Sequence, residues 1–251
     1  MALKLITPPS REPLSLEATR KILKDPPEDD NNEIQGLIIA ARKYCEGFQN
    51  RAYLEQTWDF WLDGFSNKKH INIPLPPLQS VISIKYYGTD DTEYTIDPAD
   101  YDVDDKGLVG KVVLRYNKSW PTTTLRPSNA VAIRFIAGYD TYSSTVTTTG
   151  TAVAKTAGDD FETTWQAGKI VTINGQSYRL ALVTDAENLV LATTAGNQAE
   201  VSLQVDDVPE LVVQAMALHI KTLYDDYDPR VRERMEQARD ALLWMERIVA
   251  V

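Results

Sequence analysis

The chain has 251 residues, with 26 Lys and Arg against 36 Asp and Glu, which gives a formal net charge of −10. Hydrophobic residues make up 43% and charged residues 25%, as in soluble folded proteins, and the length suggests one or two domains. The acidity argues against tight nucleic-acid binding, which requires clustered Lys and Arg. With Cys45 as its one cysteine and His70 and His219 as its two histidines, the chain can form neither an intrachain disulfide nor a Cys-based or multi-His metal site.

The sequence predicts neither a membrane segment nor a signal peptide. Its longest apolar runs, such as 37–41, are far shorter than the roughly 20 residues that a membrane-spanning helix needs. The opening residues 1–9 lack the apolar core of a signal peptide. We therefore expect a protein made in a reducing cytoplasm, with no membrane partner.

The first elements in chain order are helical. Ser15 is a plausible N-cap for a short helix that the prolines at 26 and 27 would end. A longer helix is predicted over 31–49, with Asp30 and Glu33 at capping-box spacing. Its apolar residues follow the pattern of a one-faced amphipathic helix, and they are Ile34, Leu37, Ile38, Ala41, Cys45 and Phe48.

Strand patterns dominate from residue 53 to residue 137. The runs rich in β-branched and aromatic residues are 52–62, 81–87, 94–96, 111–116 and 130–137. Turn-forming residues separate these runs at short intervals. The pattern predicts a small antiparallel sheet.

The composition changes after residue 138. Residues 140–206 are rich in Thr, Ala and Gly, and the Asn174-Gly175 pair is typical of a type I′ turn, which predicts a hairpin of 169–173 with 176–184. Another strand is expected over 188–194. We interpret 140–206 as a small all-β domain inserted into the chain.

Two helices are predicted after this segment. The first would begin near Pro209 with Asp207 as its cap and end near Asp225. The second would begin at Asp228 and Pro229 and continue to the C-terminus. Its arginines alternate with acidic residues, which predicts a salt-bridged surface rather than a DNA-binding one. Its apolar residues have a heptad spacing that suits packing along another helix.

The apolar end of this last helix is the most informative physical feature of the sequence. Either it packs on the protein's own core, or it docks on a neighbouring subunit or partner, since Trp and Met are enriched at the cores of interfaces. The second hypothesis predicts an interface formed by Val231, Met235, Ala238, Leu242, Leu243, Trp244, Met245, Ile248 and Val249.

The histidines and the cysteine do not form a catalytic constellation in the sequence. His70 is expected at the surface, His219 in a structural or interface position, and Cys45 as a small buried hydrophobe. The sequence contains no phosphate-binding loop, no Gly-x-Ser-x-Gly elbow and no zinc-protease helix. We predict no catalytic or cofactor-binding residues.

An Asp-rich segment superficially resembles a calcium loop. Asp100, Asp102 and Asp104 match the first three ligand positions of an EF-hand. The sixth position, which requires Gly, is Asp105, and the twelfth, which requires Glu, is Lys111. We therefore interpret the segment as a solvated, turn-rich loop and predict no metal site.

Several segments together resemble the head–tail connector, or adaptor, proteins of long-tailed bacteriophages. The most specific is Pro-Leu-Pro-Pro-Leu-Gln-Ser-Val-Ile-Ser-Ile-Lys-Tyr at 74–86. Others are Leu-Ile-Thr-Pro-Pro at 5–9, Ile-Ile-Ala-Ala-Arg-Lys-Tyr-Cys-Glu at 38–46 and Ile-Arg-Phe-Ile-Ala-Gly-Tyr at 133–139. The resemblance resumes at Val-Pro-Glu-Leu-Val, 208–212, so 140–206 departs from the family pattern.

The resemblance implies a virion structural protein rather than an enzyme. Connector proteins form a ring, usually of twelve copies, that lies beneath the portal, extends the DNA channel and receives the stopper or tail. The implied fold is α+β, with a helical connector core and small sheet formed by 1–139 and 207–251, and with 140–206 inserted. DNA would pass through the ring without specific binding. The protein would lie in the neck of the virion after synthesis in the host cytoplasm.

Alternatives remain open at this point. The chain could be another neck or tail-completion protein of the virion, or an enzyme of unidentified mechanism. The inserted domain could project outward to touch capsid or tail proteins, or could bind carbohydrate; its few aromatic residues favour outward contact. In a ring, the acidity predicts a lumen that repels the DNA backbone and lets DNA slide.

Overall fold

The computed structural model describes residues 1–245 and 247–248, which combine helices with antiparallel sheets. The α+β class is therefore confirmed. The chain divides into two compact units. We call Met1–Arg11, Glu46–Tyr139 and Glu246–Val251 the sheet unit, and Glu12–Cys45 with Asp140–Met245 the helix–barrel unit. The predicted three-part division at 139 and 206 stays a prediction.

The sheet unit contains two antiparallel sheets where the sequence predicted one. The strands are β1 (Ala2–Thr7), β2 (Gln56–Leu62), β3 (His70–Asn72), β4 (Leu78–Tyr87), β5 (Glu93–Thr95), β6 (Tyr101–Asp104), β7 (Lys111–Leu114) and β8 (Val131–Ala137). Five of them form a sheet in the order β1-β2-β8-β4-β5, and three form a sheet in the order β3-β7-β6. The two sheets share one apolar core, which includes Phe60, Ile84, Val112, Ile133 and Phe135.

The larger sheet has one apolar face, which contributes to this core, and one more polar face, because side chains alternate along its strands. Phe60 pairs with Ile133 in the β2–β8 register, and both side chains are buried in the core. The next pair, Asp59 with Arg134, lies on the opposite face because successive side chains of a strand point to opposite sides. There the Arg134 guanidinium donates to both oxygens of Asp59, at 2.7 and 2.9 Å.

The helix–barrel unit contains α1 (Leu16–Ile22), most of α2 (Asn31–Gln49), α3 (Glu210–Tyr224) and α4 (Pro229–Trp244). Ser15 caps α1 as predicted, since its Oγ accepts from the Ala18 amide at 3.1 Å. Asp228 caps α4 by accepting from the Arg230 amide at 2.9 Å. The carboxylate of Asp30 instead accepts from the hydroxyl of Tyr224 at 2.5 Å. No described helix combines the length and the apolarity that a bilayer crossing requires.

Residues 141–206 form a closed six-stranded barrel. Its strands are β9 (Thr141–Thr149), β10 (Ala152–Gly158), β11 (Ile170–Ile173), β12 (Gln176–Val183), β13 (Asn188–Leu191) and β14 (Gln198–Asp206). The predicted hairpin is present as β11 and β12, and both turn residues have positive φ, 50° at Asn174 and 79° at Gly175. Apolar side chains fill the interior, so the barrel is a packed core.

Candidate interaction surface

The last helix buries very little of its own surface. Of the residues of α4, Arg239 and Leu243 are buried, and the helix packs against α3 along that narrow face. A helix on the surface of a globular protein ordinarily buries an apolar stripe more than 100° wide. Most of the perimeter of α4 is therefore left exposed in the single chain.

A buried arginine holds α4 in place. The Arg239 guanidinium lies over the Tyr44 ring of α2 at 4.3 Å, and its Nη1 is 2.7 Å from Nδ1 of His219 on α3. The Tyr44 and His219 rings stack with centroids 4.4 Å apart. The carboxylate of Asp240 accepts from Nε of Arg239 at 2.8 Å and from the Tyr44 hydroxyl at 3.3 Å. One cation thus joins three helices.

The chemistry of this cluster assigns the protonation of its histidine. An arginine side chain can only donate, so Nδ1 of His219 accepts and the imidazole is neutral. Burial lowers the pKa of His219, and the adjacent charge of Arg239 lowers it further. His219 therefore has a structural role within the chain, one of the two positions, structural or interface, that the sequence predicted for it.

The predicted interface residues divide between the outside and the inside of the protein. Val231, Trp244 and Met245 are 44, 58 and 73% exposed, and Ala238 is exposed as well. Met235 and Leu242 are half-buried, and Leu243 and Ile248 are buried. Val249 lies outside the described residues. An interface at this helix stays a prediction, and the exposed residues of the helix form the candidate surface.

The residues opposite the anchor form a continuous exposed row. Arg230, Arg234, Ala238, Ala241 and Met245 are spaced by four, four, three and four residues, and all five are exposed. We call this row the α4 outer face. The sequence prediction missed its two arginines because it selected apolar residues alone.

The arginines at the start of α4 do not have the predicted salt bridges. Arg230, Arg232 and Arg234 are exposed, and none has an acidic side chain within 4.0 Å in the part of the chain that the structure describes. The neighbouring Glu233 accepts instead from Gln237 at 3.2 Å. The beginning of α4 therefore exposes three arginines without ion pairs to any described residue, beside the exposed Asp226, Asp228 and Glu233.

Ile248 is buried in the sheet unit. Its amide donates to the Gln49 carbonyl at 3.0 Å, and its own carbonyl accepts from Nδ2 of Asn50 at 2.9 Å. It lines a mainly apolar cavity of about 490 Å³ whose wall also includes Leu3, Phe60, Leu62, Phe65 and Ile73. Ile248 therefore does not contribute to the exposed surface of α4.

The aspartates that resemble a calcium loop are ion-paired one by one. Asp100 pairs with Lys118, Asp102 with Arg115 at 2.8 Å and Asp104 with Lys111 at 3.2 Å. Since each carboxylate has its own cation, the three do not converge on a common point. Among the described residues there is no cluster of His, Cys, Asp and Glu that could hold a metal ion.

Comparisons with known proteins identify a shared fold. No protein-family model and no curated protein matches the chain. A chain in the virion of a native gene transfer agent (GTA) particle matches with 13% identity and a TM-score of 0.60. Chains match also in the neck of an empty GTA particle computed with C6 symmetry, at 14% and 0.59, and in the neck of a native GTA particle computed with C12 symmetry, at 13% and 0.54.

Each of these alignments covers 100% of this chain and 97% of the other. The similarity therefore extends over residues 140–206, the segment that departs from the connector pattern in sequence. At 13 to 14% identity, the similarity is one of fold.

Proposed function

We propose that the chain is a structural protein of a virion neck, which assembles as a ring of twelve copies between the portal and the stopper or tail. The observation that carries the proposal is the full-length fold similarity to chains of GTA necks, one of them computed with C12 symmetry. The resemblance of residues 5–139 and 208–212 to head–tail connectors supports the same role independently. The ring would extend the DNA channel, and the protein would have no enzymatic activity.

The exposed surface of α4 supports a role in assembly. Trp244 and Met245 expose large apolar side chains at the end of a helix whose buried face is narrow. Trp and Met are enriched at the centres of protein–protein interfaces. We propose that this helix contacts a neighbouring subunit, the portal, or both. Truncation after Asp240 tests this, because unchanged ring assembly and unchanged portal binding would contradict it.

The distribution of charge supports weak contact with DNA. The sheet unit has 13 Lys and Arg against 13 Asp and Glu, whereas the helix–barrel unit has 13 against 23. The whole net charge of −10 therefore lies in the helix–barrel unit. Repeated around a ring, that charge would repel phosphates and leave DNA free to slide. A lumen lined mainly by Arg and Lys would contradict this part of the proposal.

The packing of the barrel favours a contact or spacer role over sugar binding. Phe161 and Trp165, two of the few aromatic residues of this segment, are buried in the barrel core and cannot stack on a carbohydrate ring. We propose that the barrel contacts capsid or tail proteins. Deletion of residues 146–203 should then impair particle assembly and leave host adsorption by assembled particles unchanged. Normal assembly with lost adsorption would indicate carbohydrate binding instead.

An image of the neck that locates this chain tests the whole proposal. We expect density for twelve copies arranged around the DNA channel, between the portal and the first tail component. Density for the chain in the tail, or as isolated copies on the capsid, would identify a different virion component.

A further inference from the structure

The exposed side of α2 carries a row of small and polar residues that its own fold does not explain. Glu33, Gly36, Ala40 and Lys43 are spaced by three, four and three residues, and all are exposed. They lie opposite the buried side of the helix, where Ile34, Ile38 and Ala41 are found. We call this row the α2 outer face. Ile39, which is 40% exposed, lies at its side.

Gly36 is the informative residue of this row. A helix interior disfavours glycine, which loses more backbone freedom on folding than alanine does. A Cβ atom added at Gly36 would meet no other atom within 4 Å, so packing inside the chain does not require the glycine. A side chain absent from a helix surface allows a second helix to approach closely, since interaxial distance depends on the side chains at the contact.

The α4 outer face has features that match this row. It is basic over its first half, at Arg230 and Arg234, and apolar over its second half, at Ala238, Ala241 and Met245. The α2 outer face begins near an acidic segment, in which Glu28, Asp29 and Glu33 are all exposed. It continues into Gly36, Ile39 and Ala40. Each surface is thus charged at the N-terminal end of its helix, with opposite signs of charge, and small or apolar in its middle, while the α2 outer face ends at Lys43.

The charges fix the relative direction of two such helices. With α2 and α4 parallel, the arginines of α4 lie opposite the acidic start of α2, and Ala238 lies opposite Ile39 and Ala40. An antiparallel arrangement would instead bring the arginines toward Lys43. The helices have 19 and 16 residues, so the rows can run side by side over most of their length.

We infer that the α4 outer face of one copy docks on the α2 outer face of the next copy. The inference rests on the proposed ring and identifies the contact that closes it. Both faces are exposed in the single chain, and they are two different surfaces. A contact between different surfaces of identical chains is heterologous, and it produces a closed ring when the rotation per copy divides a full turn.

Filling the space over Gly36 tests the contact without disturbing the fold. Gly36→Leu should give a folded monomer with an unchanged or raised melting temperature, because a Cβ at this exposed position meets no atom within 4 Å and leucine favours helix. Rings should be lost, as measured by mass photometry of the full chain. Gln35→Leu is the control for the added apolar character: it places a leucine at the adjacent exposed position, outside the row, and should assemble as wild type does.

A charge exchange then tests whether the contact joins two copies. Arg234→Glu and Glu33→Arg should each raise the concentration at which rings form about tenfold, because each places like charges opposite each other. Mixed in equal amounts, the two variants should form rings again, with alternating copies in which every contact pairs opposite charges.

The outcomes separate this contact from the ring itself. Rings of Gly36→Leu equal to those of wild type, or variants that fail to recover on mixing, would overturn the α2–α4 contact and leave the ring intact. Rings that persist in Gly36→Leu while binding to the portal is lost would assign the face to the portal and also overturn the inference. A wild-type chain that stays monomeric at every concentration would contradict the ring and this contact together.

Discussion

Arg239 is the residue on which the position of α4 depends. Its guanidinium contacts the Tyr44 ring on α2, His219 on α3 and Asp240 on α4 itself. A buried cation costs free energy unless its donors are paired, and removing it leaves the partners buried without a donor. Arg239 therefore stabilises α4 through the groups that it satisfies.

Arg239→Ala should lower the free energy of unfolding by about 2–4 kcal/mol, because it leaves Nδ1 of His219 without its donor and removes one of the two donors to Asp240, the other being the Tyr44 hydroxyl. Urea denaturation of the monomer measures this. Arg232→Ala, at an exposed position of the same helix, should change it by less than about 0.5 kcal/mol. Equal effects of the two substitutions would contradict the anchor role.

His219 should make stability depend on pH in a defined direction. Burial and Arg239 lower its pKa in the folded protein, so the unfolded chain, with a pKa of about 6.5, binds a proton more readily. The contribution of neutral His219 to the free energy of unfolding is then fully present above about pH 6.5 and is lost as the pH falls below that value. Glu236 and Asp240 oppose the shift without reversing it. Between about pH 7.5 and 5.5 the melting temperature of the wild-type chain should fall, and that of His219→Gln should fall less. An equal fall in both chains would show that other groups cause it.

At the scale of elements, two glycines should respond in opposite ways to the same substitution. Gly138 has a φ of 133°, and a Cβ there would lie 2.2 Å from the Leu54 carbonyl oxygen, so Gly138→Ala should cost more than about 2 kcal/mol. Gly36→Ala has open space and should stabilise the monomer by about 0.5–1 kcal/mol. Chemical denaturation of both variants measures this, and a stable Gly138→Ala chain would show that the backbone can move away.

The helices were predictable because their signals are local. Ser15 and Asp228 cap where the sequence predicted, and Asn174-Gly175 marks its hairpin. The strands β1, β3, β6, β9, β10 and β14 were not predicted, because most of them are short, exposed or rich in threonine. Barrel closure depends on pairing of β9 with β14, whose residues lie far apart in the sequence, and no local pattern reports such a pairing.

The candidate surface was predictable in part. The interface residues predicted for the last helix include Trp244 and Met245, which are exposed. They also include Leu243, which is buried, because counting apolar residues cannot show which side of a helix faces inward. The buried side of α4 is centred on Arg239, a residue that hydrophobic periodicity counts as outward. The orientation of this helix therefore required the three-dimensional contacts of a charged side chain.

At the scale of the whole molecule, the net charge of −10 is distributed unevenly between the two units. All of it lies in the helix–barrel unit, while the sheet unit is balanced. The acidity is therefore a property of one part of the chain, and any acidic channel surface should be formed by that part. The same unit contains Arg230 and Arg234 of the α4 outer face, so its excess of negative charge does not extend to that row.

The mass of the purified full chain in solution shows directly whether the protein assembles as the proposed ring. Twelve copies of the 28.2 kDa chain would weigh about 340 kDa. Native mass spectrometry at rising protein concentration should detect this species, and negative-stain images should show closed rings with a central channel. A mass of 28.2 kDa that persists at every concentration would contradict the account.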